Sequence, residues 1–269
     1  MRLTVRGAPP ILRQLHRTET RPSVAHDTFD ANTLFGHWAQ RAADTALPTL
    51  LETLERHRVK RALTIAASGL FVDCIQGNDE TLAACRDHAQ LEPIGTVDPR
   101  RWVGCREELQ RVWDAGVRVI GFYPEWQEWS PENRAFQRLA ETASRLGQIV
   151  LVEATREGMV SRIANTLADV PGPVIVSGAN YRTLAEAVAI LEDREQWYLE
   201  THALGSLGAQ EIVKDAVGIG RLLFGSRSPL QYFSSAWLPI RYASISEDER
   251  DCIFGGNLTA LLERAHAHH

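Results

Sequence analysis

The sequence predicts a single (β/α)8 barrel of the TIM type with an N-terminal extension. Eight short apolar runs follow one another along the chain, and a turn with a helical segment follows most of them. Most of these runs are continuous and rich in Val, Ile and Leu, which is typical of strands buried on both faces of a parallel sheet. Residues 26–265 provide about 240 residues for the eight units, which is the usual size of a closed barrel.

Each predicted strand is one of these apolar runs. In chain order the predicted strands are Thr28–Phe35, Arg61–Ala67, Glu92–Val97, Arg118–Tyr123, Ile149–Thr155, Pro173–Asn180, Trp197–Ala203 and Arg221–Ser226. An open doubly wound sheet is the alternative arrangement of such units. The chain contains no glycine-rich phosphate-binding turn of the G-x-G-x-x-G or P-loop kind, which weakens that alternative.

Helical periodicity marks the segments between the strands. The predicted helices are Leu47–Arg58, Glu107–Ala115, Pro131–Leu146, Gly158–Ala168, Arg182–Glu192, Gly208–Ile219 and Glu247–Leu262. In the first of them, leucines at positions 47, 50, 51 and 54 form one apolar face. Ser246 with Glu249 three residues later predicts a capping box, and Ser130 before Pro131 predicts another helix start.

The two ends of the chain differ in composition from the barrel. Residues 1–25 form a basic arm with five arginines and one acid, Glu19. We expect this arm to be either a surface tail or a partner-binding segment. Residues 266–269 form a histidine-rich tail, for which we expect no place in an active site.

Composition limits the partners and the compartment. A formal net charge of -5 argues against nucleic acid as the main partner, which would need a basic face. The four cysteines include no C-x-x-C pair, so we interpret them as thiols of a reducing compartment. No apolar run reaches the roughly 18 residues that a membrane span needs. We therefore expect a cytoplasmic protein that does not contact a membrane.

The active site of such a barrel lies at the C-terminal ends of its strands. Polar residues at or just beyond those ends are candidates for catalysis or ligand binding: Asn32, Asp98, Tyr123, Glu153, Ser177, Asn180, His202 and Arg227. His202 is either a general base, because imidazole titrates near neutrality, or a buried polar residue with satisfied hydrogen bonds. Asp98 precedes Pro99 and is either a turn former or a catalytic acid.

Two further candidates lie on loops that follow strands. Tyr123 belongs to an aromatic loop, Phe122–Trp129, which either lines a pocket or packs on a partner subunit. Asn180 follows the sixth predicted strand. It either binds a ligand or caps the helix that begins near Thr183.

Five segments together resemble the amidohydrolase-related branch of the amidohydrolase superfamily, which contains decarboxylase-like and lactonase-like enzymes. They are Phe29–Gly36, Gly95–Arg100, Gly116–Pro124, Phe224–Pro229 and Gly256–Leu262. In that family the first segment reads Asp-x-His-x-His-x-Gly and the fourth reads Phe-Gly-Ser-Asp-x-Pro. The resemblance covers almost the whole chain after the arm and implies the same barrel fold.

The resemblance also implies a catalytic divalent metal, usually zinc, but this sequence departs from the family at the ligand positions. The two histidines of strand one are replaced by Asn32 and Leu34, and the aspartate of strand eight is replaced by Arg227. The strand-five histidine falls at Glu153, and the strand-six histidine falls at Ser177 or the next residue. Leucine has no lone pair to donate and arginine is a cation, so we expect neither a bound metal nor another cofactor.

Two hypotheses follow for the function. In the first, the barrel is non-catalytic and either binds a small carboxylated metabolite or anion, or serves as the partner subunit of an active amidohydrolase-like protein. In the second, it is a metal-independent hydrolase, lactonase or decarboxylase of a small carboxylated substrate. Catalysis would then rest on His202, Glu153 and Asp98, and ligand binding on Arg227, Asn32, Ser177, Asn180 and Tyr123. Either hypothesis is compatible with a homo- or hetero-oligomer.

Overall fold

The computed structural model describes residues 27–40 and 42–267. Eight parallel strands are paired in sequence order around one sheet. They are β1 (Phe29–Phe35), β2 (Arg61–Ala66), β3 (Leu91–Thr96), β4 (Val119–Phe122), β5 (Ile149–Glu153), β6 (Val174–Ser177), β7 (Trp197–Glu200) and β8 (Leu222–Leu223). The basic arm and residues 268–269 of the histidine-rich tail lie outside the described residues.

Backbone hydrogen bonds between β1 and the segment that follows β8 close the sheet into a barrel. The Ala31 amide donates to the Phe224 carbonyl at 2.7 Å, and the Arg227 amide donates to the Asn32 carbonyl at 2.7 Å. Thr33 and Ser228 form a parallel bridge between the same two segments. The predicted (β/α)8 barrel is therefore confirmed, and the doubly wound alternative is wrong.

Helices follow each strand and pack outside the barrel. They are α1 (Leu47–Arg56), α2 (Ser68–Phe71), α3 (Cys74–Asp87), α4 (Cys105–Asp114), α5 (Arg134–Arg145), α6 (Met159–Thr166), α7 (Leu184–Asp193), α8 (Ala209–Val217), α9 (Phe233–Arg241), α10 (Glu247–Asp251) and α11 (Asn257–Ala267). A 3-10 turn, Ile219–Arg221, precedes β8, and one π-helical segment, Cys252–Gly256, joins α10 to α11. No helix in the described part of the chain has the length and apolar character needed to cross a bilayer.

Of the two helix starts that the sequence predicts, one is confirmed and the other is wrong. Ser246 and Glu249 form the predicted capping box at the start of α10. The start predicted at Pro131 is wrong, because α5 begins three residues later. There the Asn133 side chain accepts a hydrogen bond from the Ala135 amide at 2.8 Å and supplies the cap.

Alternation along the strands separates an inner from an outer core. In β5, Val150 and Val152 belong to the layer between strands and helices, whereas Leu151 belongs to the inner cluster. Side chains alternate between the two faces of a strand, so the residue two positions after an inner apolar residue also points inward. This rule directs Glu153 of β5 and Ser177 of β6 into the barrel at its C-terminal end.

Candidate functional site

Three buried polar side chains converge from different strands at the C-terminal end of the barrel. The Asn32 amide nitrogen donates to Glu200 Oε2 at 2.8 Å and to Ser177 Oγ at 3.1 Å. The Ser177 hydroxyl donates to the same Glu200 oxygen at 2.7 Å. Glu200 and Ser177 are fully buried, and Asn32 is nearly so. Glu200 is therefore the acceptor that gathers β1, β6 and β7 at this end of the barrel.

The position of Glu200 depends on a glycine of the neighbouring segment. A Cβ atom on Gly225 would lie 2.0 Å from Glu200 Oε1, well inside the contact distance of real atoms. The carboxylate thus occupies the space that any side chain at position 225 would fill. Gly225 therefore leaves room for the Glu200 carboxylate, a role that the surrounding sequence does not indicate.

His202 is bound to the same carboxylate. Its Nδ1 lies 2.6 Å from Glu200 Oε2, and its backbone amide donates to Glu200 Oε1 at 2.6 Å. The imidazole is buried, with 2% of its side chain exposed. A histidine whose Nδ1 is held by a carboxylate has a fixed ring orientation, which is the arrangement found in acid–base pairs.

Arg227 brings a cation to the same end of the barrel. Its Nη1 donates to Glu153 Oε1 at 2.7 Å, and its Nη2 lies 3.4 Å from Ser177 Oγ. The guanidinium carbon lies 4.5 Å from the centre of the Trp126 ring, so the indole covers the ion pair. Arg227 has a φ of 55°, a left-handed conformation that costs a residue with a Cβ about 1–3 kcal/mol. Arg227 and Glu153, which the sequence identifies as separate candidates, thus form an ion pair, and both side chains are buried.

Burial and charge act in opposite directions on the carboxylates. Burial alone would raise the pKa of Glu200, but His202, Arg227 and Asn32 outweigh it and lower that pKa to about 2. Burial raises the pKa of Glu153 to about 7, although Arg227 opposes the shift. Burial, followed by the charge of Arg227, lowers the pKa of His202. Around neutral pH, Glu200 is therefore the firmly ionised carboxylate of the network.

A further buried acid, Asp30, lies beside this network on β1. Its Oδ1 accepts hydrogen bonds from the backbone amides of Asn32 and Ser226, both at 3.0 Å. Within the described part of the chain its Oδ2 is buried and has no hydrogen-bond partner. Burial raises the pKa of Asp30 to about 7, although hydrogen bonds from Ser226 and Asn32 oppose the shift.

The rings of the aromatic loop pack on one another over the end of the barrel. Tyr123 and Trp129 are buried, and Trp126 stacks on the Tyr123 ring with 5.2 Å between the centroids. Trp38 meets the edge of Trp126 at 4.8 Å. These rings cover the barrel end, and the contact of Phe122–Trp129 with a partner subunit stays a prediction. Burial raises the pKa of the Tyr123 phenol above its usual range, so it stays protonated.

Asp98 and Asn180, the last two predicted site residues, form their hydrogen bonds outside the network of Glu200 and Arg227. Asp98 forms a two-oxygen ion pair with Arg100, at 2.8 to 3.1 Å, and accepts from the Arg100 backbone amide. The Asn180 side-chain amide donates to the Thr155 carbonyl at 2.8 Å and holds the loop before α7. Neither residue has a described hydrogen bond to Glu200 or Arg227, so both side chains act in their own turns.

Three members of the site were not among the sequence candidates. Glu200 stands at the end of the apolar run Trp197–Glu200, two positions after Tyr198 of the inner cluster. That alternation was a usable signal for an inward carboxylate. Asp30 and Trp126 gave a weaker signal, because their roles depend on contacts with Ser226 and Arg227, which are distant in sequence. Among the described residues, no group of three or more His, Cys, Asp or Glu side chains is arranged to hold a metal ion.

Comparison with known proteins places the chain in a family. The family model described as Amidohydrolase matches residues 27–264, whereas a comparison with curated proteins gives no match. Among solved structures, the chain is similar to a probable 2-pyrone-4,6-dicarboxylic acid hydrolase from Acinetobacter baumannii with citric acid bound. The two share 14% identity at a TM-score of 0.69, over 88% of this chain and 99% of that chain.

Two decarboxylases have the same architecture. One is 2,6-dihydroxybenzoate decarboxylase from Rhizobium, with 11% identity and a TM-score of 0.71 over 89% of this chain and 99% of that one. The other is a dihydroxybenzoic acid decarboxylase from Polaromonas with bound manganese, with 13% identity and a TM-score of 0.66 over 88% and 97%. At such identities these likenesses concern the fold alone. Because the family model spans most of its length, the chain belongs to the amidohydrolase family.

Proposed function

We propose that this chain is a non-catalytic member of the amidohydrolase family that acts as a partner subunit of another protein. The observation that supports this is the Arg227–Glu153 ion pair, buried beneath Trp126 at the end of the barrel where the family's chemistry takes place. The pair lies across the barrel end and is joined by one hydrogen bond of 2.7 Å, while Glu153 Oε2 and Arg227 Nε are buried there without a hydrogen-bond partner among the described residues. A chain built in this way acts through its outer surface.

The charge of Arg227 is unsuited to a neighbouring metal ion. The family resemblance identifies the positions that would hold a metal, and among them Glu153 has a carboxylate. Arg227 already donates a hydrogen bond to this carboxylate at 2.7 Å. A divalent ion on Glu153 would lie about 5 Å from the guanidinium, where the repulsion is roughly 7 kcal/mol at an effective dielectric constant of 20. The residues present therefore do not fit the family's metal.

The same balance of charge is unfavourable for a bound carboxylate. Three acids, Asp30, Glu153 and Glu200, share this end of the barrel with one permanent cation and His202. Near neutral pH Glu200 is ionised and Asp30 and Glu153 are about half ionised, against the single charge of Arg227, so an anionic ligand would add to a net negative charge. Among the non-catalytic roles, assembly is thus favoured over binding of a small anion.

The His202–Glu200 pair supports a second candidate, a metal-independent decarboxylase or lactonase. A histidine held at Nδ1 by a carboxylate, at 2.6 Å here, can transfer a proton through its other nitrogen. General acid–base catalysis of this kind contributes typically about 10²–10⁴-fold in rate. That is too little for an amide but enough for an activated lactone or a β-keto acid.

Turnover by the isolated chain tests the two candidates against each other. Purified protein would be assayed on amides, lactones, β-keto acids and hydroxybenzoates, with and without added zinc or manganese. We expect no turnover above the rate of a His202→Ala variant under any condition. Turnover that is lost in His202→Ala but kept in the surface variant Arg182→Ala would establish the second candidate and overturn the first.

A further inference from the structure

An arginine-lined groove lies between α4 and α5 on the outside of the barrel. We define the arginine groove by Arg106 of α4 and by Arg134, Arg138 and Arg145 of α5, which line a cavity of about 400 Å³. Glu141 is the one acid among its lining residues. The groove therefore has an excess of positive charge, on a chain whose formal net charge is -5.

The three arginines of α5 form a straight stripe. They occupy positions i, i+4 and i+11 of the helix, and at 3.6 residues per turn these positions lie within about 40° of one another. At a rise of 1.5 Å per residue, the stripe extends about 16 Å along the helix. That length exceeds a single carboxylate or phosphate group and suits a row of charges on an extended partner.

Carboxylates of the same chain neutralise few of the positive charges in the arginine groove. Arg145 has a contact of 3.6 Å with Glu141, but neither Arg134 nor Arg138 has an ion pair with any described carboxylate. The described partner of Arg134 is the uncharged side chain of Gln137. Arg106 packs on the Trp102 ring at 5.0 Å and likewise has no carboxylate among the described residues.

The positions of these arginines add to the imbalance. Arg134 and Arg138 are like charges at i and i+4, which disfavours a helix by about 0.2–0.5 kcal/mol. Arg106 and Arg134 stand in the first turns of α4 and α5, where the helix dipole favours acids and not cations. An anionic surface from outside the chain would correct all of these unfavourable interactions together.

We propose that the arginine groove is the docking surface for an acidic helix of a partner protein. Arginine binds carboxylates in a planar, two-point geometry, and a helix with acids at i, i+4 and i+11 matches the stripe. The negative charge of the whole chain opposes a nucleic acid, whose phosphates extend far beyond one groove. The inference rests on the proposed role as a partner subunit and identifies the surface that would serve it.

The test uses a fluorescein-labelled helical peptide with glutamates at i, i+4 and i+11 and an uncharged residue at i+7, where the stripe carries Glu141, titrated against the full chain and followed by fluorescence anisotropy. The change is the double reversal Arg134→Glu/Arg138→Glu. Its control is Arg86→Glu/Arg182→Glu, which alters the net charge equally at exposed arginines of α3 and the loop before α7. A peptide with glutamines at the three glutamate positions controls for binding that does not depend on charge.

We expect the groove reversal to weaken binding of the glutamate peptide at least about tenfold, and the control reversal to change it by less than about twofold. Added salt should also weaken binding to the wild-type chain. Equal losses in both double variants, or equal binding of the glutamine peptide, would overturn the proposal. Stronger binding of a single-stranded oligonucleotide or of inorganic triphosphate than of the peptide would also overturn it. Because no substrate is used, turnover in the enzyme assay would not alter this result.

Discussion

Replacing Arg227 with methionine removes the cation of the buried pair and keeps most of the side chain's volume. The side chains of Arg227 and Glu153 are 6% and 0% exposed, so the change leaves a buried carboxylate without its cation. Loss of one partner from a buried ion pair costs about 3–5 kcal/mol. At roughly 2–4 °C per kcal/mol for a chain of about this size, the midpoint of thermal unfolding should fall by roughly 6–20 °C.

Arg227→Met should lower the free energy of unfolding more at high pH than at low pH. The Glu153 pKa is about 7 when Arg227 is present and rises further when the cation is removed. At about pH 5.5 the carboxyl is protonated in both proteins, so the loss of the cation matters least. At about pH 8.5 the variant must either keep a buried charge or take up a proton, which adds roughly 2 kcal/mol.

Chemical denaturation of four proteins at both pH values measures this effect. They are the wild type, Arg227→Met, Glu153→Gln and the double variant. Adding Glu153→Gln to Arg227→Met should recover about 1–3 kcal/mol, since it removes the unpaired carboxylate. The exposed Arg182→Met serves as the surface control. The account is contradicted if Arg227→Met lowers the free energy of unfolding no more than this control does, or lowers it equally at both pH values. The buried pair would then not be the element that closes the barrel end.

Further predictions concern the remaining carboxylates. The contribution of Asp30 and Glu153 to the free energy of unfolding should fall as the pH rises from about 5 to about 8, because both have a pKa raised to about 7. The lowered pKa values of His202 and His57 act in the opposite direction below their unfolded value of 6.5, so the acids are tested by comparison with a variant that lacks them. Stability from a raised pKa is fully present below the unfolded values, 3.8 and 4.5, and is lost as the pH passes the folded value. In denaturant titrations the free energy of unfolding of Asp30→Asn/Glu153→Gln should fall less than that of the wild type over this pH range, or rise, and identical pH profiles would contradict both shifts. Gly225→Ala should destabilise the protein by about 1–3 kcal/mol, because the new methyl group would displace Glu200. Gly205→Ala is the control, because a Cβ there would meet no atom within 4 Å and its φ, like that of Gly225, is not positive; an equal loss in both variants would refute the contact.

The sequence was sufficient to predict the barrel because the signal for each strand is local. Continuous Val, Ile and Leu runs such as Ile149–Glu153 need no distant partner to be recognised. Helix α3, Cys74–Asp87, was missed because its buried face carries Gly77, Asn78 and Thr81 instead of leucines. Helix α9 was missed as well, and it contains a proline, Pro239, that disguises its periodicity.

The site was predictable only in part, for a physical reason. The predicted strand ends and the family resemblance identified Arg227 and Glu153 as candidates at ligand positions, and these two form a pair. Nothing local indicates that Glu200 accepts from Asn32, which lies 168 residues away in sequence. The cover provided by Trp126 likewise depends on how its loop folds back over the barrel. Contacts of this kind exist only once the barrel has closed.

Metal binding by the intact chain tests the central claim most directly, namely that the Arg227 cation stands where the family's metal would be. The protein would be purified without an affinity tag and with its tail histidines, His266, His268 and His269, replaced by alanine. Zinc and manganese would then be titrated and followed by calorimetry. We predict no saturable site, and no difference between this protein and its Glu153→Gln variant. One equivalent of either metal bound to the first protein and lost in Glu153→Gln would contradict the account.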